Sequence, residues 1–418
     1  MGEKYEVLVA GSGPAGMAAA VAAARMGAKV GLVEKNGILG GNITSGHVGP
    51  IMGATDRGTL TEELCDLVGI GSRFVMHDIE QAKRVLPRWV TDAGVDVLLQ
   101  VQVVDAILED SRLTGLVVAD KEGLRNIFAD VFVDATGDGF VAYSAGVRYE
   151  KGRAEDGLMQ PTTLMFTLTD VDTDNAVFCH GEECDTPVHG MRYDEYCKQA
   201  HDRGELPQNV SVVRLYEHVN EGEVLCNTSQ ANGIDGTNAA DHIRAELELR
   251  DQMGTIIEFL RKNIPGYENC RLKDSADVLG VRETRRFAGE YVLQDEDVLT
   301  GARFEDVVVH NAEFVIDIHN PSGDGQAEGL AKLSKPYDIP LRSLIPLDVD
   351  NLILSGRCIS GTHRAHASYR VMKIAIPLGE AAGIAAALSV QKGILPRDLD
   401  ASDVQDRLTE LGVILFDQ

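Results

Sequence analysis

The stretch YEVLVAGSGPAGMAAAVAAARMGAKVGLVEK, residues 5–35, decides how the rest of the chain is read. Tyr5–Ala10 is an apolar run of strand length, as expected of a parallel strand buried on both faces. From about Pro14 to Met26 the alanine-rich sequence predicts a helix, and Lys29–Val33 a second strand that closes on Glu34 and Lys35. Between the first strand and the helix, Gly11-Ser12-Gly13-Pro14-Ala15-Gly16 matches G-x-G-x-x-G. The three glycines have separate tasks: Gly11 makes the tight turn, Gly13 lets backbone approach a pyrophosphate, and Gly16 lets the helix lie close on the strands. The helix N-terminus offers N–H groups and a partial positive charge to phosphates. Glu34, 23 residues after Gly11, is placed to bond a ribose hydroxyl pair. The unit is built to hold a dinucleotide.

The segment after Glu34 narrows the ligand. Another regular βα unit would suit NAD, but here the chain runs into Gly40-Gly41-Asn42-Ile43-Thr44-Ser45-Gly46-His47-Val48-Gly49. A glycine-dense loop lets backbone lie flush against a long, flat ligand, which suits the ribityl and isoalloxazine parts of FAD. A second G-x-G-x-x-G is absent, so a separate nicotinamide domain is not expected.

Working outward, Thr61–Val68 and His77–Ala93 predict helices. Val95–Asp134 reads as a three-stranded meander returning to a buried strand, Val131–Ala135. From about Tyr149 the character changes. LMFTLTD predicts a strand, a polar region carries His180, His189, His201 and His218, and Ala239–Asn263 predicts a long amphipathic helix. The acidic DEDVL is expected to form a turn, and VVVHNAEFVIDIHNPSG a strand. Asn351–Ser355 predicts a buried strand, Gly356–Ser368 a loop and Tyr369–Val390 a long helix of small residues. The expected class is α/β: a split Rossmann-like FAD-binding domain (1–148 and 346–418) with an inserted mixed α+β substrate domain, 149–345.

Bulk properties set outer limits. A chain of 418 residues, 44% apolar and 25% charged, has ordinary globular composition. A net charge of −26 argues against a nucleic-acid partner and against docking on anionic membranes. The seven cysteines include no C-x-x-C pair, which argues against zinc or iron–sulfur ligation, and their odd number predicts reduced thiols in a cytoplasmic protein. The two apolar stretches, near residues 7–24 and 372–390, are interrupted by glycine, proline or charge, so a soluble chain is expected.

These stretches together resemble the FAD-dependent oxidoreductases of the glutathione-reductase-2 structural class. The chain is most similar to the broad bacterial family labelled simply FAD-dependent oxidoreductase. The resemblance rests on GSGPAGMAAAVAAARMGAKVGLVEK (11–35), GGNITSGHVG (40–49), VDATGDG (133–139), LGVRETRRFAGEY (279–291) and NLILSGRCISGTHRAHASYRVMKIAIPLGEAAGIAAAL (351–388). It implies that Gly11, Gly13, Pro14, Ala15 and Gly16 hold the pyrophosphate, and Glu34 with Lys35 the adenosine ribose. Val103 would pair its backbone with adenine. Ala135, Thr136, Gly137 and Asp138 would lie beside the nucleotide, and Gly40, Gly41, Asn42, Ser45 and Gly46 along the flavin. Relatives often carry Gly-Asp where this chain has Gly356-Arg357, so Arg357 could face the pyrophosphate instead. A helix starting at Val371–Met372 would aim its N-terminus at the flavin's pyrimidine edge.

In such a protein the flavin carries the redox chemistry and the chain manages a proton and a substrate. His363 and His366, and His47 from the glycine loop, are the candidate proton carriers. Arg282 and Arg285, with Arg286, are candidates to grip a carboxylate or polyol oxygen. Nothing in the sequence calls for covalent attachment through His47. Cys179 and Cys184 have C-x4-C spacing, but they lie far from the first βαβ unit among acidic residues, which argues against a disulfide-reductase pair. The expected activity is a dehydrogenase or oxidase that moves a hydride between a small polar metabolite and FAD. The alternatives are a fumarate-reductase-like ene-reductase or desaturase, and a flavin-bearing electron-transfer subunit. Its small-molecule substrate is unnamed, its electron partner is oxygen, a quinone, a nicotinamide or a protein, and association into a homo-oligomer is left open.

Overall fold

The computed structural model describes residues 4–69, 78–179, 184–325 and 333–416. Predicted His77 and His180 lie outside them. The sheet at its centre begins with β1 (Lys4–Ala10), β2 (Val30–Glu34) and β3 (Asp96–Leu99). It continues through β4 (Gln102–Glu109), β5 (Arg112–Asp120) and β6 (Gly123–Asp134), in the order β3-β2-β1-β6-β5-β4. The β1–β2, β2–β3 and β1–β6 pairs are parallel, whereas β4, β5 and β6 form an antiparallel meander. One strand serves both halves: β6 pairs with β5 through Gly123–Phe128 and with β1 through Phe128–Asp134. The strand Leu352–Leu354 then adds in parallel beside Phe132–Asp134, from the far end of the chain.

The N-terminal reading reappears nearly residue for residue. Helix α1 spans Pro14–Arg25, with Pro14 at the first turn, where its missing N–H costs nothing. Its alanines are buried against the helix Met372–Lys392, which crosses it with backbone touching backbone. A Cβ on Gly379 would stand 2.0 Å from the carbonyl oxygen of Ala15, and one on Gly383 2.1 Å from that of Ala19. Met372–Lys392 is long and apolar enough to cross a membrane, but it is mostly buried in this core.

A second core is built on an antiparallel sheet, Leu215–Glu217, Val224–Cys226, Phe166–Thr169 and Arg271–Ser275 in that order. The helices Tyr193–Asp202 and Ala239–Asn263 pack their apolar faces into it. The latter starts on Asn238, whose side chain accepts the N–H of Ala240 at 2.8 Å. The chain enters and leaves this core through one antiparallel pair, Tyr149–Lys151 with Arg285–Phe287. The core itself ends at Leu279; Phe287, Leu293, Val308 and Tyr337 are buried with the nucleotide sheet. The segment 149–345 therefore divides between two cores, rather than forming one inserted body.

Four local expectations are corrected. DEDVL is helical (Asp295–Thr300), because Asp297 accepts the N–H of Gln294 at 2.8 Å and closes the first turn. The strand expected over VVVHNAEFVIDIHNPSG stops at Ala312, next to Asn311 in the left-handed region (φ 50°). The loop 356–368 contains the helix His363–Tyr369, started by Thr362, whose hydroxyl accepts from Ala365 N at 3.2 Å. Cys179 and Cys184 are joined as a disulfide, so not every thiol is reduced; Cys65, Cys197, Cys226, Cys270 and Cys358 are free.

Glu380 ties this core to the helix Leu60–Val68, its buried carboxylate accepting the Leu60 N–H at 2.8 Å. Burial pushes its pKa up to about 7; the Leu60 N–H and Arg25 oppose the rise and Glu63 adds to it. A folded-state pKa above the unfolded one gives stability that is fully present below about 4.5 and is lost as pH rises through about 7, roughly 3 kcal/mol in all. Thermal midpoints of the wild type should fall between pH 5 and 8 by more than those of Glu380→Gln. Parallel profiles would remove Glu380 as the cause.

Candidate active site

A cleft runs along the carboxyl ends of β1, β2 and β6, where the fingerprint turn places it. Gly11 takes φ +91°, and a Cβ there would meet the carbonyl of Ala135 at 2.5 Å. Gly16 is tighter still, its Cβ position 1.8 Å from the carbonyl oxygen of Gly11. Gly13 caps α1 with no side-chain hydrogen bond, and nothing stands within 4 Å of its Cβ position. Two glycines are thus filled by protein, and the third opens on space at a helix N-terminus. That is the division of labour an approaching pyrophosphate requires.

Glu34 is buried at the end of β2. Its Oε2 accepts both Ser12 N (2.8 Å) and Ser12 Oγ (2.6 Å), and its Oε1 accepts Asn36 N (2.8 Å). It locks the fingerprint turn to β2 and still lines the cleft. Glu34→Ala would leave the buried Ser12 N–H unpaired, a loss of about 1–3 kcal/mol. It should lower FAD retention on gel filtration, and unaltered retention would remove Glu34 from the ribose site.

The cleft has two connected chambers sharing Gly11, Glu34, Lys35, Thr136 and Asp138. One, of about 620 Å³, is walled by Val101–Val103, Phe140 and Arg285. Val103 lies there, although its carbonyl already accepts Gln102 Nε2 at 2.7 Å. The other, of about 380 Å³, is walled by Gly13, Pro14, Ala15, Gly41, Asn42, Ala135, Gly137, Gly356, Arg357 and Met372. Arg357 reaches Asp138 (Nη2 to Oδ1, 2.8 Å), and its Nη1 is buried with no protein partner. Burial opposes ionisation of Asp138, but Arg357, Lys35 and Thr284 outweigh it and hold the carboxyl below its usual range. Two chambers that share Gly11, Glu34 and Lys35, one of them opening on a bare helix N-terminus and lined by an arginine with an orphaned donor, fit a long dinucleotide.

Several expected residues lie outside the cleft walls. Gly16 packs against Gly11, and Gly40 (φ +110°) donates its N–H to Ser12 O at 2.9 Å. Ser45 O accepts Asp277 N at 2.9 Å, while Gly46 packs on Asn42. Gly16 seats α1 on the fingerprint turn, and the other three shape the loop, rather than lining the cleft. Val371 is the N-cap of the final long helix, with no side-chain capping bond, and packs beside Gly53.

The candidate catalytic residues separate. His47 (φ +51°) is buried at the junction of the two cores, its Nδ1 3.5 Å from Asp274 Oδ1. Arg285 goes to the nucleotide end, stacked 3.9 Å from the centre of the Tyr143 ring. Arg282 donates to Pro161 O at 2.7 Å. His363 Nδ1 lies 2.8 Å from Oε1 of buried Glu283, which also pairs with Arg286. His366 is 1% exposed and edge-on to Tyr369. Burial, then Arg286, Arg370, Arg357 and His363, push its pKa well below the ordinary range, so it is a neutral ring.

The second core supplies a wall that sequence reasoning missed. His242 and Glu246, one turn apart on Ala239–Asn263, face the cleft, and Asp277–Leu279 and Val281 cover the 380 Å³ chamber. Arg370 lines that chamber just before the helix Met372–Lys392. A carboxylate four residues after a histidine on an amphipathic helix was the available signal, but the pattern is common on exposed faces.

The FAD dependent oxidoreductase family model matches residues 6–408. Thiamine thiazole synthase of Thermococcus kodakarensis is 32% identical over 148 residues, covering 32% of this chain and 59% of that protein. That of Aeropyrum pernix is 32% identical over 153 residues, covering 32% and 55%. The matches thus span a little over half of these relatives. Among solved structures, a geranylgeranyl bacteriochlorophyll reductase-like protein from Thermoplasma acidophilum aligns with TM-score 0.48 and 14% identity, covering 98% of this chain and 83% of that one. With a family match from one end of the nucleotide fold to the other, the chain belongs to the FAD-dependent oxidoreductases, and FAD is its cofactor.

Proposed function

We propose that this enzyme moves a hydride between a small polar metabolite and FAD, in the direction of a dehydrogenase or oxidase. One observation supports the reading most. In a chain of net charge −26, Arg357 and Arg370 line the small chamber, and their charges act, with those of Arg286 and His363, on the buried His366 beside it. Bound FAD supplies hydride uptake and release. The fingerprint turn, Glu34 and Arg357 would hold its dinucleotide half. The roof of Asp277–Leu279 and Val281 would exclude water from the redox end, and the basic cluster would orient an electron-rich substrate. The reading includes a cytoplasmic setting, no nucleic-acid or membrane partner, and oxygen, a quinone, a nicotinamide or a protein as electron partner.

The thiamine thiazole synthase likeness covers about a third of this chain, so it does not bring that activity with it. Anaerobic mixing of the holoenzyme with hydroxy- and amino-metabolites should bleach the flavin absorbance. Bleaching by none of them, with reoxidation of the reduced protein by an unsaturated acid, would replace this reading with ene reduction.

A further inference from the structure

After Ala312 the chain crosses toward the second core as irregular backbone, yet it is firmly held. Gln230 Nε2 donates to Gly323 O at 2.7 Å. Asn232 Nδ2 donates to the same carbonyl at 2.9 Å and to Asn320 O at 3.1 Å. A loop clamped by side-chain amides can carry a functional group with little positional freedom.

Its cargo is a histidine–carboxylate pair. His319 Nε2 lies 3.3 Å from Asp317 Oδ2. Arg370, which walls the small chamber, donates Nη2 to the same Oδ2 at 2.8 Å and to Asp317 O at 3.2 Å. Its Nε is buried with no partner. On the other side, the His319 N–H donates to Gln160 Oε1 at 3.3 Å. Gln160 is 1% exposed, and its Nε2 has no partner in the protein. Arg282 stands close enough for its charge to act on His319.

These groups form a set with a purpose. With Asp317 on Nε2, the neutral ring keeps Nδ1 as its acceptor. Burial, followed by Arg282, holds the His319 pKa down at about 4 against the pull of Asp317, so the accepting form prevails at neutral pH. Two guanidinium groups and an unpaired amide donor match the two oxygens of a carboxylate. His363 and His366 are worse placed, one held on Nδ1 by Glu283 and the other sealed by Tyr369.

We propose that the redox end of the cleft takes a 2-hydroxy- or 2-amino-carboxylate. Arg282, Arg370 and the Gln160 amide receive its carboxylate. His319, oriented by Asp317, takes the hydroxyl or amine proton. The reaction balances: the α C–H leaves as hydride to FAD, the O–H or N–H proton goes to His319 Nδ1, and the C–O or C–N bond becomes double. Two electrons leave the substrate and FAD gains them. The assignment rests on the hydride-transfer reading and gives it a substrate class.

The test uses the holoenzyme, oxalate as the carboxylate probe in calorimetry, and anaerobic flavin bleaching by a panel of 2-hydroxy acids, 2-amino acids and neutral alcohols. Oxalate should bind the wild type, and about tenfold or more weakly to Arg282→Gln and to Arg370→Gln. His319→Gln should keep its oxalate affinity and its FAD absorbance while the bleaching rate falls about 100-fold or more. Asp317→Asn, the milder change, should lower the bleaching rate by less than His319→Gln does. Equal oxalate affinity in wild type and arginine variants, or a wild-type bleaching rate in His319→Gln, overturns the assignment. Bleaching by neutral alcohols alone overturns it too, while leaving hydride transfer in place. Oxalate binding without bleaching by any hydroxy or amino compound overturns both.

Discussion

Gly16→Ala is expected to purify without flavin. The added Cβ would lie 1.8 Å from the carbonyl oxygen of Gly11, far inside any contact distance. Gly11 has little room to yield, because the Ala135 carbonyl oxygen fills the space beside it, 2.5 Å from where a Cβ would stand. Helix α1 must therefore lift from the strand ends, taking the N–H groups at its start away from the phosphates. Overpacking of this kind costs about 3 kcal/mol, which is roughly a hundredfold in affinity if all of it falls on binding. FAD titration followed by fluorescence measures it. A Gly16→Ala protein that binds FAD as tightly as the wild type would refute the close-approach reading of this turn.

Gly383→Val should have the largest effect on stability. Its Cβ would stand 2.1 Å from the Ala19 carbonyl oxygen, at the place where α1 and the helix Met372–Lys392 touch through bare backbone. Forcing them apart opens the densest part of the core, with a loss of about 3 kcal/mol or more. Gly254→Ala is the matched control. It also sits inside a helix, with nothing within 4 Å of its Cβ position, and should gain about 0.5–1 kcal/mol from helix propensity. Thermal denaturation of both proteins decides it; equal midpoints would sink the packing argument.

The same physics explains which parts of the molecule are legible in its sequence. Residues 5–35 are legible because a buried parallel strand, a fingerprint turn and an alanine helix each impose a strong local pattern. Ala239–Asn263 is legible as well, since its buried face repeats at helical spacing from Ala245 to Leu260. The redox end is not. His47, His363 and His366 are near the cofactor in sequence, but their rings turn to Asp274, Glu283 and Tyr369, partners from other turns and distant segments. Arg285 is diverted by the Tyr143 ring, which no spacing rule connects to it. His319 lies in irregular chain fixed by amides from residues 230 and 232, so no periodicity marks it. Local pattern finds the groups that bind by backbone; long-range side-chain pairing decides the others.

The contact between α1 and the helix Met372–Lys392 also bears on how the protein is made. During synthesis, the fingerprint unit emerges about 350 residues ahead of the helix Met372–Lys392, and until that helix follows, its alanine face has no cover. The strand Leu352–Leu354, which completes β6, arrives equally late. The second core needs only residues up to Leu279, so it can consolidate earlier while the N-terminal sheet waits. Such non-local closure is slow and leaves an apolar surface open to wrong partners. The flavin domain is therefore the part of this protein most dependent on protection before the helix Met372–Lys392 docks.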